Sequence, residues 1–157
     1  MCLKCEGWSD EEILESSRRA IELHGWGYVH VEGGGPCFTY TVGLTRFHGH
    51  AELLVTGLDV GQATTLLDDL ADQVRHGFRL VAGDLLVEGC CDVHRLQLVQ
   101  VSEPGRLAQA QEIYASSAGM VPGLQVVYTE ACGHWPWEHD GPESQWRQPL
   151  FGRPRHR

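Results

Sequence analysis

The stretch CFTYTVGLTRFHGHAELLVTG, Cys37–Gly57, holds two β-rich runs, Phe38-Thr39-Tyr40-Thr41-Val42 and Leu53-Leu54-Val55-Thr56. β-Branched and aromatic residues dominate both, which suits a pleated, half-buried surface. Between them Gly43, His48, Gly49 and His50 belong to a polar, flexible, His-rich connector, the kind of loop on which sites are carried. These two strands begin a sheet, and the segments on either side decide the fold class.

Towards the N-terminus, Ser9-Asp10-Glu11-Glu12 reads as a capping box. The Ser9 hydroxyl accepts from the Glu12 N–H while the Glu12 carboxylate reaches back to Ser9 N–H. Ile13, Leu14, Ala20 and Ile21 follow on one helical face, and Gly25 sits where a left-handed cap ends such a helix. Tyr28, His30 and Glu32 then alternate with Val29 and Val31, a strand pattern. Gly33-Gly34-Gly35-Pro36 turns that strand into the central stretch as a hairpin. No Gly-Lys-Ser/Thr follows these glycines, so a turn is preferred to a phosphate loop.

Towards the C-terminus, Asp59 with Gln62 caps a second helix, whose stripe is Ala63, Leu66, Leu67, Leu70, Ala71 and Val74, with Gly77 at its end. Phe78–Val81 and Leu85–Glu88 are short β-rich runs on either side of an Ala82-Gly83-Asp84 turn, and Val93–Val101 reads as a longer strand. Glu103-Pro104 starts a third helix with Leu107, Ala110, Ile113 and Tyr114 on its apolar side. Leu124–Tyr128 is the last strand. From Thr129 the chain is rich in Gly, Pro and Trp and is expected to wrap the domain without regular structure. The order predicts one α+β domain over residues 1–157, with a mainly antiparallel sheet and about three helices packed on one face of it. Residues 1–8 are expected to be a mobile, Cys-containing N-terminus, and residues 152–157 a basic tail.

A chain of 157 residues suffices for one core without covalent staples. Hydrophobic content of 42% with 21% charged is ordinary globular composition. Twelve basic against twenty-one acidic residues, net −9, oppose nucleic-acid and anionic membrane partners. The N-terminus lacks an apolar core of signal-peptide length, so the cytoplasm is the expected compartment. The six cysteines are then expected as thiols or metal ligands rather than disulfides.

Phe38-Thr39-Tyr40-Thr41-Val42-Gly43-Leu44 and Glu52-Leu53-Leu54-Val55-Thr56-Gly57-Leu58 resemble a largely bacterial family known as domain of unknown function 4262. Two later segments, Gln125 to Trp137 and Gln148-Pro149-Leu150-Phe151-Gly152, are similar to further motifs of that family. Ala51 stands where the family usually has proline before Glu52. The acid expected near the last strand has Glu130 as its nearest counterpart. The resemblance covers nearly the whole chain and implies a domain boundary, not a mechanism.

Cys2-x-x-Cys5 has the spacing of half a zinc site. Cys37, His48, His50, Cys90, Cys91, Cys132, His134 and His139 are the candidates to complete it. His48 and His50 lie close together, and neutral imidazole is the commonest metal ligand, so zinc or another transition metal is the cofactor class implied. Terminal thiols and solvated loop histidines without metal are the plain alternative. Glu52 opens a strand that otherwise reads as core, and is either solvent-facing or paired in a pocket where burial raises its pKa. The indoles Trp135 and Trp137, beside His134 and Glu138, suit a ligand cleft or the closing of the core. Tyr40, Thr41, Glu52, Gln125, His134 and Trp137 are the expected pocket wall. Glu52 and Trp137 are expected to meet there, near Tyr40, with His48 or His50. Three functional classes follow: a small-molecule-binding or accessory domain, a metal-assisted enzyme using His48 and His50, and an immunity-type module with a protein partner.

Overall fold

The computed structural model describes residues 3–32, 37–88, 94–114, 120–130, 133–138 and 148–154. Helix α1 spans Asp10–His24, with both halves of the Ser9/Glu12 capping box formed and Gly25 as a left-handed cap. Strands β1 (Gly27–Val31) and β2 (Phe38–Val42) pair antiparallel, with His30 opposite Thr39. The Gly33–Pro36 turn lies outside the described residues. Helix α2 (Leu44–His48), strand β3 (Glu52–Thr56) and helix α3 (Val60–Arg75) come next. Strands β4 (Leu85–Glu88) and β5 (His94–Gln100) precede a 3-10 turn at Pro104–Arg106 and helix α4 (Ala108–Tyr114), and β6 (Gly123–Tyr128) completes the sheet.

The fold is α+β, with a six-stranded sheet in the order β1-β2-β3-β6-β5-β4. All its neighbours are antiparallel except β3 and β6, which run parallel with Leu53 opposite Leu124. Among the described residues no helix is long and apolar enough to cross a membrane.

Successive strand residues point to opposite faces. Leu53 and Val55 face α3, whose Ala63, Leu66, Leu67, Leu70, Ala71 and Val74 are all buried as the stripe predicts. Burying its four larger aliphatics contributes roughly 6–12 kcal/mol before entropy costs. Leu54 points the other way, into a cluster with Ile21 of α1, Ala110 of α4, Tyr40, Val42 and Phe151. Helices therefore cover both faces, a correction to the one-face expectation. That expectation treated the helices as one layer, whereas β3 is apolar on both sides.

Two local expectations also change. The connector of the central stretch contains α2, begun at Gly43 with φ 133°. A Cβ there would lie 2.5 Å from the Gly25 carbonyl oxygen, so only glycine permits the chain to turn so close to Trp26. Phe78–Val81 is not a strand. Its backbone donors are engaged elsewhere: Phe78 N–H by the Gln73 carbonyl at the end of α3, Leu80 N–H by His50 Nε2 and Val81 N–H by the Asp84 carboxylate. Only Leu80 of that run is buried, while Phe78 and Val81 are exposed.

Candidate functional site

Glu52 opens β3 and is completely buried. Its Oε1 accepts from the backbone N–H groups of Gly43 (3.0 Å) and Thr45 (3.1 Å) and from the Tyr114 hydroxyl (2.9 Å). Its Oε2 accepts from the Thr41 hydroxyl at 2.8 Å, and Thr41 in turn accepts from Leu53 N–H at 2.9 Å. One carboxylate thus ties the end of β2, the first turn of α2 and the last residue of α4 to β3. The Gly43 and Thr45 N–H groups are donors that a short helix cannot satisfy internally. Four donors match the acceptor capacity of an ionised carboxylate.

Burial pushes the Glu52 carboxyl above its ordinary value of 4.5, and the hydrogen bonds from Thr41, Thr45, Gly43 and Tyr114 offset that only in part. All four donors are neutral. Among the described ion pairs, none involves Glu52. Tyr114 is half-buried, and burial together with the neighbouring carboxylate pushes its hydroxyl up. Tyr40, on β2, receives the Gln109 N–H at 3.1 Å, and burial pushes its hydroxyl up to about 12. A buried carboxyl raised in this way exchanges its proton nearer neutrality than an exposed one and is a recurrent feature of working sites.

Of the expected wall, Tyr40, Thr41 and Glu52 come together. Gln125 does not join them. Its Nε2 donates to Pro149 O (2.8 Å) and Thr56 Oγ1 (3.3 Å), and its Oε1 accepts from Phe151 N–H (2.7 Å). Trp137 stacks on Trp135, centroids 5.1 Å apart and planes 6° apart, in a separate cluster with Val99, Val127 and Leu150. The expected meeting of Glu52 and Trp137 is corrected accordingly. Glu52 is in register with Gly123, and Val127 lies four residues further along β6, roughly 13 Å away at the strand rise. His134 is exposed beside that cluster.

The imidazoles of the central stretch separate as well. His50 is buried, with Nδ1 2.7 Å from Ala51 O and Nε2 3.0 Å from Leu80 N. A carbonyl only accepts and an N–H only donates, so the ring is the neutral Nδ1–H tautomer with both nitrogens engaged. That leaves it no lone pair for a metal, which corrects its candidacy as a ligand. His48 is half-buried, Cys5 is exposed, and Cys2 lies outside the described residues, as do Cys90, Cys91, Cys132 and His139. Among the described residues no group of three or more His, Cys, Asp or Glu could hold a metal ion.

Sequence reasoning missed Tyr114 and Thr45. Tyr114 read as one more apolar position of the third helix, and Thr45 contributes a backbone N–H, which carries no residue signature. The one available signal was Val42-Gly43, a glycine at a strand end immediately before a helix.

No curated protein and no solved structure matches the chain. The family model described as a domain of unknown function (DUF4262) matches residues 20–142, which include Glu52, its partners and all six strands. The chain belongs to that family.

Proposed function

We propose that the protein is a small-molecule-binding domain whose site lies where the end of α4 closes over Glu52. The observation that carries this reading is the hydrogen bond between the half-buried Tyr114 hydroxyl and the fully buried Glu52 Oε1. Three of the four donors on Glu52 are held by the β2–α2 turn and by β2 itself, whereas Tyr114 reaches in on a side chain from a different element. Specific pockets place a few fixed polar groups in apolar walls. Here Glu52 and Thr41 are those groups, and Tyr40, Val42 and Leu54 are the apolar surroundings.

The test is a thermal-shift screen of small polar metabolites, repeated on Glu52→Gln. Expected are compounds that raise the melting temperature of the parent protein by several degrees and lose that effect in the variant. Hits that shift both proteins equally would place the binding elsewhere and end the reading.

A further inference from the structure

A buried carboxylate is costly unless an opposite charge or a full set of donors compensates it. Glu52 has the donors but, among the described residues, no ion-pair partner. The charged and titratable groups on the elements around it do not change this. Tyr114 from α4 and Tyr40 from β2 are phenols held neutral by burial. Arg46 of α2 is exposed, with its guanidinium over the Phe47 ring. His50, two residues before Glu52, has both ring nitrogens occupied.

We propose that the Glu52 site takes a small organic cation, an alkylammonium or guanidinium group, which displaces the Tyr114 hydroxyl and donates to Glu52 in its place. This deepens the ligand-site reading above and rests on it. The two backbone donors and Thr41 stay where the fold holds them, so the incoming group needs to replace one hydrogen bond only. A cation makes a charge-assisted bond where the phenol makes a neutral-donor one, and it brings an opposite charge that no ion pair among the described residues gives Glu52. The net charge of −9 raises the local concentration of such ligands. Swung aside, the Tyr114 ring offers its face to the cation. Protonation of Glu52 removes the charge that the ligand pairs with, so binding weakens as the pH falls through the carboxyl's folded value.

Ethylammonium chloride and methylguanidinium chloride are the probes, with sodium chloride and tetramethylammonium chloride at equal ionic strength as controls, the latter a cation without an N–H. Melting temperature is followed for the parent protein, Glu52→Gln and Tyr114→Phe. The first two salts are expected to raise it in the parent protein, to do nothing for Glu52→Gln, and to act at least tenfold lower concentration in Tyr114→Phe, where no hydroxyl competes. Equal shifts with tetramethylammonium, or no shift in both the parent and Tyr114→Phe, overturn the proposal. A neutral compound whose binding needs Glu52, found while both cations fail, overturns the cation class and leaves the ligand-site reading standing. Cation shifts that survive in Glu52→Gln overturn the assignment of the cation to Glu52.

Discussion

Two buried polar clusters hold this molecule together, and they are built on opposite logics. At the C-terminal strap, Gln148 receives the Tyr128 N–H on Oε1 (2.8 Å) and donates to the Tyr128 carbonyl from Nε2 (2.9 Å). Gln125 does the same in reverse, donating to Pro149 O and accepting from Phe151 N–H, while Thr56 also donates to Pro149 O. Each amide there copies a strand's own donor–acceptor pair, just beyond the point where the β3–β6 register ends at Leu54 and Gln125. Donors and acceptors are matched, and the Tyr128 phenol, which donates to Thr56 O, is pushed by burial up to about 12. Around Glu52 four elements converge, but every group that meets the carboxylate donates to it and the shared acceptor is ionisable. Matched amides account fully for a structural joint, whereas a carboxylate raised by burial has more chemistry than a joint requires.

The comparison breaks most visibly if Glu52 is removed outright. In Glu52→Ala the Gly43 and Thr45 N–H groups stay buried with no acceptor, and Thr41 and Tyr114 lose theirs. Unsatisfied buried donors cost about 1–3 kcal/mol each, and a cavity adds to that, so urea unfolding should show a loss of about 3–5 kcal/mol. That is a large part of the stability of an ordinary domain. A loss below about 1 kcal/mol would mean that water enters the site at little cost and that the carboxylate is not the joint described.

The strap gives the middle effect. Gln148→Ala strips partners from one N–H and one carbonyl of Tyr128, for an expected loss of about 1–3 kcal/mol. The clamp's amides do not ionise and burial pushes the Tyr128 phenol up to about 12, so the loss should be the same at about pH 5 and about pH 8. Urea midpoints at both values check this, and a pH-dependent loss would place a charge in the clamp that the geometry does not show.

How much of this was legible follows the range of the interactions. The Ser9/Glu12 box and the α3 stripe are local rules written within a few residues, and both formed as expected. Phe78–Val81 had strand composition but not strand structure, because Gln73, His50 and Asp84 took the N–H groups of Phe78, Leu80 and Val81, and composition does not register a competing acceptor. Glu52 stood out as a carboxylate in a core strand. Of its four partners only Thr41 did, because two others are backbone groups and the fourth, Tyr114, is 62 residues away. Gln148-Pro149-Leu150-Phe151-Gly152 was visible as a motif without its reason. The reason is contact: a Cβ on Gly152 would sit 1.9 Å from the Gln100 carbonyl oxygen, so the strap closes only over glycine.

The smallest change, Glu52→Gln, sharpens the contrast by turning the hub into a second amide joint. The new amide oxygen can take over the donors now on Oε1, and the new NH2 faces Thr41, whose hydroxyl, already accepting from Leu53 N–H, accepts a second bond in place of the one it donated. At any one pH the stability change should therefore stay below about 2 kcal/mol. The information lies in its pH dependence. Because the folded carboxyl is raised above 4.5, its contribution to stability is fully present below that value and is lost as the pH rises through the folded value. Glutamine does not titrate, and every other acid is common to both proteins. The urea midpoint of Glu52→Gln minus that of the parent should thus climb as the pH rises above about 4.5 and then level off, favouring the variant at neutral pH. A flat difference would mean that Glu52 titrates alike folded and unfolded. A difference that falls with pH would mean that the four donors outweigh burial, leaving a carboxylate satisfied by its own fold with no charge for a ligand to answer.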